Sequence, residues 1–373
     1  MRSLVALRML LHDRSSTAGS VLGVIAIVFL VGQQLAVLFG MLGYMSLLPD
    51  NAGADIWVVS KNTNNINTSG NLPMRYVERI RGVDEVEWVE PLLSSAALFR
   101  NSDGKYQAVN LIGLPTPSLR GGPWRFAEGS LDNLLDDDGV TVDSSDLQSL
   151  GNPHMGDIYE INNVRVKIVG ITQNIRGFGG TLLFTNLPKA RQISKMNSDR
   201  TSFILIKLKP GVDLDAGIAT LNSILPDAEV FSAAQLSSNT RTYYIAQTGI
   251  GTSFALTVFI SILVGIIIIM LTMYTNVVDR QKDFAVLRAL GGRKRDIRVI
   301  VLVQAFIISI IGIFAGFTLL TLFLNFTRGS RLPAAMFPWV PPVHIAATIL
   351  LCILGSLVAM RKAVKIEPAS AFR

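Results

Sequence analysis

Charge is what this sequence is short of. Only 16% of its 373 residues are Asp, Glu, Lys or Arg, against about 25% in a soluble globular chain. Half of the residues are hydrophobic, 50%, and mean hydropathy is +0.43. That balance excludes a disordered chain and an ordinary cytosolic enzyme, and leaves an integral membrane protein with room for a soluble domain. Cysteine is nearly absent: with Cys352 alone, neither an intrachain disulfide nor a cysteine-built metal site is available. The histidines, His12, His154 and His344, stand far apart and read as isolated polar residues. A phosphate-cradling loop needs a Gly-Lys pair followed by Ser or Thr. The one pair present, Gly104-Lys105, is followed by Tyr106.

Charge is missing altogether from four stretches that could cross a bilayer, which takes roughly 20 apolar residues, the fourth being shorter than the others. They lie between Arg14 and Asp50, between Arg241 and Asp279, from Val299 to Phe326, and from Val343 to Met360 with His344 at the edge. The first greatly exceeds the apolar core of a signal peptide and no small-residue cleavage site follows it promptly, so it reads as an uncleaved helix. Lysine and arginine gather in the flanks: Arg2, Arg8 and Arg14; Arg280, Lys282, Arg288, Arg293, Lys294, Arg295 and Arg298; and Arg361, Lys362, Lys365 and Arg373. The long segment between the first two spans is acidic on balance. The positive-inside rule therefore puts both termini in the cytoplasm. Tyr44, Trp57, Tyr243, Tyr244 and Trp339 would mark the outer boundary and Tyr274 the inner one. With the basic residues so placed, the net charge of +7 offers nothing to a nucleic acid.

The fold class expected is an α-helical membrane protein: four transmembrane helices, with a large mixed α/β extracytoplasmic domain inserted between helices 1 and 2. Residues 1–19 read as a cytoplasmic amphipathic helix, with Leu4, Leu7 and Leu11 on the membrane and Arg2 and Arg8 at its surface. Residues 20–48 form span 1, 49–243 the outer domain, 250–278 span 2, 279–298 a cytoplasmic hairpin and 299–326 span 3. An extracytoplasmic loop, 327–342, rich in proline (Pro333, Pro338, Pro341, Pro342), leads to span 4 at 343–360 and a tail at 361–373. In the outer domain, Ala54–Ser60, Arg165–Thr172 and Ser202–Lys209 read as strands, the last alternating two faces. Met74–Arg81 and Asp213–Leu225 read as helices. Gly and Pro punctuate the middle, at Gly121-Gly122-Pro123 and Gly177-Phe178-Gly179-Gly180. Asp136-Asp137-Asp138 lacks the ligand spacing of a calcium loop and reads as a solvated turn. No catalytic arrangement stands out, and no metal or cofactor site is expected in the chain.

The most informative segment runs Asp279-Arg-Gln-Lys-Asp-Phe-Ala-Val-Leu-Arg-Ala-Leu-Gly-Gly-Arg-Lys-Arg-Asp-Ile297. Residues 279–290 hold no helix breaker, so they should continue span 2 beyond the bilayer by about 18 Å at 1.5 Å per residue. Phe284, Leu287 and Arg288 would share a face, with Leu290 beside Leu287. Gly291-Gly292 allows a sharp reversal, and Arg293 and Lys294 open the returning helix. A partly apolar, basic tip held away from lipid reads as a docking device. Asp283, Phe284, Leu287, Arg288, Ala289, Leu290, Gly291, Gly292, Arg293 and Lys294 are its candidate residues. No span carries an internal charge, which argues against an ion relay. Gln33-Gln34 is the strongly polar pair within a span, and reads as interhelical hydrogen-bond glue at a candidate dimer seam, with substrate contact as the alternative.

This arrangement resembles the MacB/FtsX-type permeases of ABC transporters over nearly the whole chain. The resemblance rests on one span before a large outer domain and three after it, on the Arg280…Asp283-Phe-Ala-Val-Leu-Arg-Ala-Leu-Gly-Gly292 hairpin, and on the Lys365-Ile-Glu-Pro-Ala-Ser-Ala-Phe-Arg373 ending. Ala54-Asp-Ile-Trp-Val-Val-Ser60, Val169-Gly-Ile-Thr172 and Ala359-Met-Arg-Lys362 look closest to the DevC-like branch. Asp283-Phe284 stands where the hairpin usually has an acidic-aliphatic pair. The resemblance implies a bacterial inner-membrane homodimer whose hairpins dock on ABC ATP-binding subunits, which hold the ATP and Mg. With only 13 residues before the first charge-free run, no fused ATPase is expected here. Closure of those subunits would push the hairpins together, and span 2, as a rigid rod, would carry the motion to the outer domain. A periplasmic adaptor and an outer-membrane channel would then receive the exported substrate. Two other functions fit less of the sequence: an FtsX-like regulator that activates a cell-wall hydrolase without transport, and a receptor or adhesion anchor, which would not need the hairpin.

Overall fold

A computed structural model describes residues 2–12, 14–68, 70–177, 180–327, 332 and 334–364. The expected C-terminal motif 365–373, Arg328, Arg331, Pro333 and the Phe178-Gly179 pair lie outside the described residues. The chain forms two compact units, residues 41–250 with 329–331, and residues 1–40 with 251–328 and 332–373. It opens with α1 (Arg2–His12) and α2 (Arg14–Met45). Ser46 then breaks the helix, at φ −108° and ψ 12°, before the short α3 (Leu47–Asn51).

The outer domain is two layers of a familiar plan around one long strand. β1 (Ile56–Ser60) and the two-residue β2 (Leu72–Pro73) lead to α4 (Arg75–Arg81), β3 (Val86–Arg100) and β4 (Tyr106–Leu114). β5 (Phe126–Gly129), β6 (Gly139–Asp143), α5 (Leu147–Leu150), β7 (Ile158–Ile161) and β8 (Val164–Thr172) follow. Next come β9 (Arg176–Gly177), β10 (Gly180–Asn186), α6 (Leu187–Ser194), β11 (Arg200–Thr201), β12 (Phe203–Leu208), α7 (Leu214–Ile224), β13 (Ala228–Ser232) and α8 (Ala233–Gln247). β13, β1, β12 and the first half of β3 lie side by side, every pair antiparallel. With α4 and α7 as the connecting helices, this is a β-α-β-β-α-β unit of strand order 4-1-3-2, the ferredoxin-like plan.

Alternation along the strands explains both faces of that sheet. Ile56, Val58, Ile204 and Ile206 pack under Tyr76, Val77 and Ile80 of α4 and Leu221 of α7. Trp57, Val59, Phe203 and Leu205 face the other way, onto Leu48 of α3 and Leu236 of α8. Ser202–Lys209 does alternate, but both of its faces are buried, because β12 is an interior strand covered on each side. Trp57, expected at the membrane boundary, is instead fully buried, edge-on to Phe203 at 6.0 Å. An indole on an inner strand gains more from packing than from a lipid surface.

The second half of β3 belongs to the insertion between β3 and β12. Pairings run β3–β4, β4–β10, β10–β6, β6–β8, β8–β7 and β7–β3, so the six strands close on themselves. Leu93, Phe99, Leu111, Val142, Ile161, Val166, Ile168 and Leu183 fill the interior, and closure leaves these strands without the exposed edges that invite aggregation. The acidic run lies in a turn between a 3-10 helix at 131–135 and β6, as a surface feature tied down by cations. Asp136 accepts from Lys167 Nζ at 3.2 Å and Asp138 pairs with Lys189 Nζ at 2.6 Å. The Lys189 hydrogen bond holds the Asp138 carboxyl below the usual carboxylate range.

The remaining helices are α9 (Ile250–Asp279), α10 (Gln281–Ala289), α11 (Lys294–Thr327) and α12 (Val340–Val364). With α2 they supply four helices long and apolar enough to cross a membrane: Thr17–Met45, Ile250–Asp279, Lys294–Thr327 and Val340–Arg361. Without a hydrophobic drive in lipid, such helices associate where small residues let their backbones approach. Glycines do this work here. A Cβ on Gly265 would overlap the Ile27 side chain, and one on Gly312 or Gly316 would stand 2.5 or 2.7 Å from the Cβ atoms of Val24 and Val28. Gly355 meets Ile269 in the same way. In α1, Ala6 and Leu10 are buried in this helical core, and Leu7 and Leu11, the residues expected on the membrane, stay exposed. The side chain of Leu4 lies outside the described residues.

Two outcomes follow from this packing. Gly265→Val should destabilise the membrane unit by about 1–3 kcal/mol through overpacking, read as a lower unfolding temperature in detergent, and Ile27→Ala in the same chain should recover part of it. The Asp138 contribution is present above the unfolded carboxylate value and lost as pH falls below about 4 through the depressed folded value. Followed from pH 6 to 2, Lys189→Met should therefore start less stable than the parent chain at pH 6, and the gap between the two should narrow as pH falls below about 4.

Candidate functional site

The hairpin after the second span is built from a helix stop, a left-handed turn and a helix start. Gly292 N–H donates to Leu287 O at 3.0 Å and Gly291 N–H to Arg288 O at 3.1 Å. Those two bonds make the Schellman closure of α10. It places Gly291 at φ +91°, where a side chain is strained. Gly292 is required differently: a Cβ there would lie 2.7 Å from Leu287 O. The chain restarts at once. Arg293 N–H donates to Asp296 Oδ2 at 2.8 Å, the N3 carboxylate reaching back to the residue before α11 in the manner of a capping box.

The expected continuous rod is not what forms. α9 stops at Asp279, Arg280 sits at φ −103° and ψ 20°, and α10 begins at Gln281. No Gly or Pro marks this break. Arg280 is 7% exposed, so the bend coincides with a guanidinium drawn into the protein, where a straight helix would leave its surroundings to lipid headgroups and water. α10 is thereby laid against the bundle. Phe284 and Ala285 are buried at 1% and 0% exposure among Met273, Val277, Ile297, Ile300 and Ala363. Leu287 packs against the same core, and Arg288 Nη1 donates to Val364 O at 3.4 Å.

The candidate residues thus divide into two faces. Phe284, Leu287 and Arg288 turn inward, so the face expected for docking is the seat of the hairpin. Asp283, Ala289, Leu290, Gly291, Arg293 and Lys294 are exposed, and Gly292 is half-buried beneath the turn. Leu290 is 81% exposed and Val286 48%. Val286, which sequence reasoning passed over, stands four residues before Leu290 and so on its face. The i, i+4 spacing was the available signal. Lys282, Asp283, Val286, Ala289 and Leu290, continued by Arg293, Lys294 and Arg295, form an apolar centre with a mostly basic rim. Gln33 and Gln34 are elsewhere, in the middle of α2, half-buried, with Gln33 Nε2 donating to Gln34 Oε1 at 3.3 Å.

No group of three or more His, Cys, Asp or Glu side chains is placed to hold a metal among the described residues. His154, the histidine of the outer domain, has an 83% exposed side chain beside Asp157 at 3.6 Å.

Two family models divide the chain between them. The MacB-like periplasmic core domain matches residues 17–224, and the FtsX-like permease C-terminal domain matches residues 255–368, which includes the hairpin. The chain belongs to the MacB/FtsX-type family of ABC transporter permeases. An uncharacterised ABC transporter permease of Methanocaldococcus jannaschii is 27% identical over 170 residues, 43% of this chain and 41% of that one. The macrolide export ATP-binding/permease protein MacB of Escherichia coli is 24% identical over 267 residues, 67% of this chain and 40% of that one. The chain spans about two fifths of the length of these curated relatives. The crystallised periplasmic region of MacB from Actinobacillus actinomycetemcomitans overlaps 50% of this chain and 92% of its own length, at 14% identity and a TM-score of 0.41. The family models carry the assignment to the MacB/FtsX-type family and do not distinguish a DevC-like branch within it.

The two faces of α10 predict opposite mutational behaviour. Phe284→Ala should cost about 3–5 kcal/mol, whereas Leu290→Ala should stay within about 0.5 kcal/mol. Thermal unfolding of both variants in one detergent checks the contrast.

Proposed function

We propose that this chain is the permease subunit of an ATP-driven export complex, and that its hairpin seats a separate ABC ATP-binding subunit. The observation that carries this is the exposed Val286–Leu290 face, set in a basic rim on a helix whose other side is locked into the bundle. An apolar side chain exposed on a fixed, tightly capped turn fits a partner's cleft, and the basic rim adds orientation and encounter rate. Seating by Phe284 supports the mechanical half of the proposal. A push on Leu290 acts on α10, whose Phe284 and Ala285 share one buried core with residues of α9, α11 and α12, so its movement would be felt by those helices.

In this reading both termini and the hairpin are cytoplasmic, following the basic flanks, and the outer domain is periplasmic in a bacterial inner membrane. The complex is a homodimer, with Gln33-Gln34 as a candidate seam. ATP and Mg bind on the partner, and this chain is non-catalytic. The outer domain passes the motion to an adaptor and an outer-membrane channel. Span 2 acts as a jointed lever, since the helix is interrupted at Arg280 and again before Ile250.

The test is capture from detergent. Tagged parent chain should bring down an ABC ATP-binding subunit, identified by mass spectrometry. Val286→Asp/Leu290→Asp should lose it by tenfold or more while keeping its unfolding temperature. Leu287 is left alone because it packs on the core. An adaptor among the parent chain's partners supports export, and a cell-wall hydrolase in its place supports the FtsX-like regulator. Capture of the ATPase by both chains alike would overturn the docking face.

A further inference from the structure

The outer ends of the first two spans are tied to one another by side chains that no family motif singled out. α3 follows span 1 and α8 precedes span 2, and both belong to the outer-domain unit. Arg241 of α8 reaches α3 with two donors: Nη2 gives a 2.6 Å bond to Asp50 Oδ2, and Nε a 2.9 Å bond to Ser46 Oγ. Ser46 is fully buried, and its hydroxyl lies 2.9 Å from the same Asp50 oxygen. The three side chains close a triangle across the two helices. A second tie runs through the loop after β1. Ile66 N–H donates to Thr240 Oγ1 of α8 at 3.1 Å, and Asn67 Nδ2 donates to Met45 O, at the end of span 1, at 2.9 Å. The Asn67 side chain also hydrogen-bonds Tyr244 of α8.

We infer that Arg241, Asp50, Ser46 and Asn67 form a clamp that locks α3 to α8, so that the chain enters and leaves the outer domain through two helices held in one register. The backbone on either side of the clamp supports this. Span 1 ends at the Ser46 break, and α8 is separated from α9 by Thr248 and Gly249, with Gly249 at φ +77° and no atom within 4 Å of where its Cβ would be. The chain thus leaves α8 for span 2 through a glycine turn, while Met45 and Ser46, at the end of span 1, are themselves held by the clamp. The Arg241 and Asp50 side chains are 36% and 33% exposed, so as an ion pair they contribute little stability. What two donors, a buried hydroxyl and a second polar tie provide is register. The clamp's functional meaning rests on the coupling role proposed above, with Arg241 as a positioning residue.

Hydrogen–deuterium exchange of the full chain in lipid nanodiscs tests it. Arg241→Met should raise exchange of residues 42–51 and 236–247 together, and Arg241→Met/Asn67→Ala should raise both by tenfold or more, with β12 and α11 unchanged. Arg241→Lys, which keeps the cation, should hold exchange nearer the parent chain than Arg241→Met does, and serves if the double variant does not fold. A rise confined to one segment, or no rise in Arg241→Met, would overturn the clamp. Capture of the ATP-binding subunit is measured on the same proteins. The hairpin is untouched, so capture should be unchanged. Its absence from the parent chain would reject the coupling role, while the exchange result alone decides whether the helices are clamped.

Discussion

The burial of Phe284 is the interaction on which the rest of the account depends. A helix that merely projected from the membrane could bind a partner without moving anything, because α9 would flex at its end. Phe284 and Ala285, packed among residues of α9, α11 and α12, make the hairpin part of the bundle. The aromatic ring lies inward on the helix that follows the bend at Arg280. The exposed and the seated residues alternate within one nine-residue helix, so that in the proposed function a single element would both offer a surface and transmit what happens to it.

The membrane helices are held to one another by shape more than by polarity. Gly265 against Ile27, Gly312 against Val24, and Gly316 against Val28 are close approaches that fix how the spans lie on one another. Interlocked backbones of this kind shift as bodies. The outer domain is also built to move as a body, because β3 contributes its first half to the four-stranded sheet and its second half to the closed barrel. Bending the domain between those parts would break a strand.

Much of this could be read from residues alone, because membrane spans and strand alternation depend on composition and short-range period. The four charge-free runs, the β-branched stretches that became β1, β8 and β12, and the double glycine at 291–292 all have local causes. The six-strand closure does not: β3 pairs with β7 some sixty residues away, and no local pattern announces such a partner. Where the structure differs from local expectation, the cause is tertiary. Trp57 follows a span, yet the sheet order makes it core. Helical spacing says that Phe284 and Leu287 share a face and never which face is turned inward. The Arg280 break had no proline or glycine to signal it. For the Arg241–Asp50 contact, the two partners stand at opposite ends of the inserted domain.

The most direct test of the central claim is site-specific photo-crosslinking in the host cell, with the photoreactive residue placed at Leu290 in one chain and at Phe284 in another. The account predicts an adduct with an ATP-binding subunit from position 290, and none from position 284. Adducts of equal yield from both positions, or none from 290 with the partner present, would contradict it.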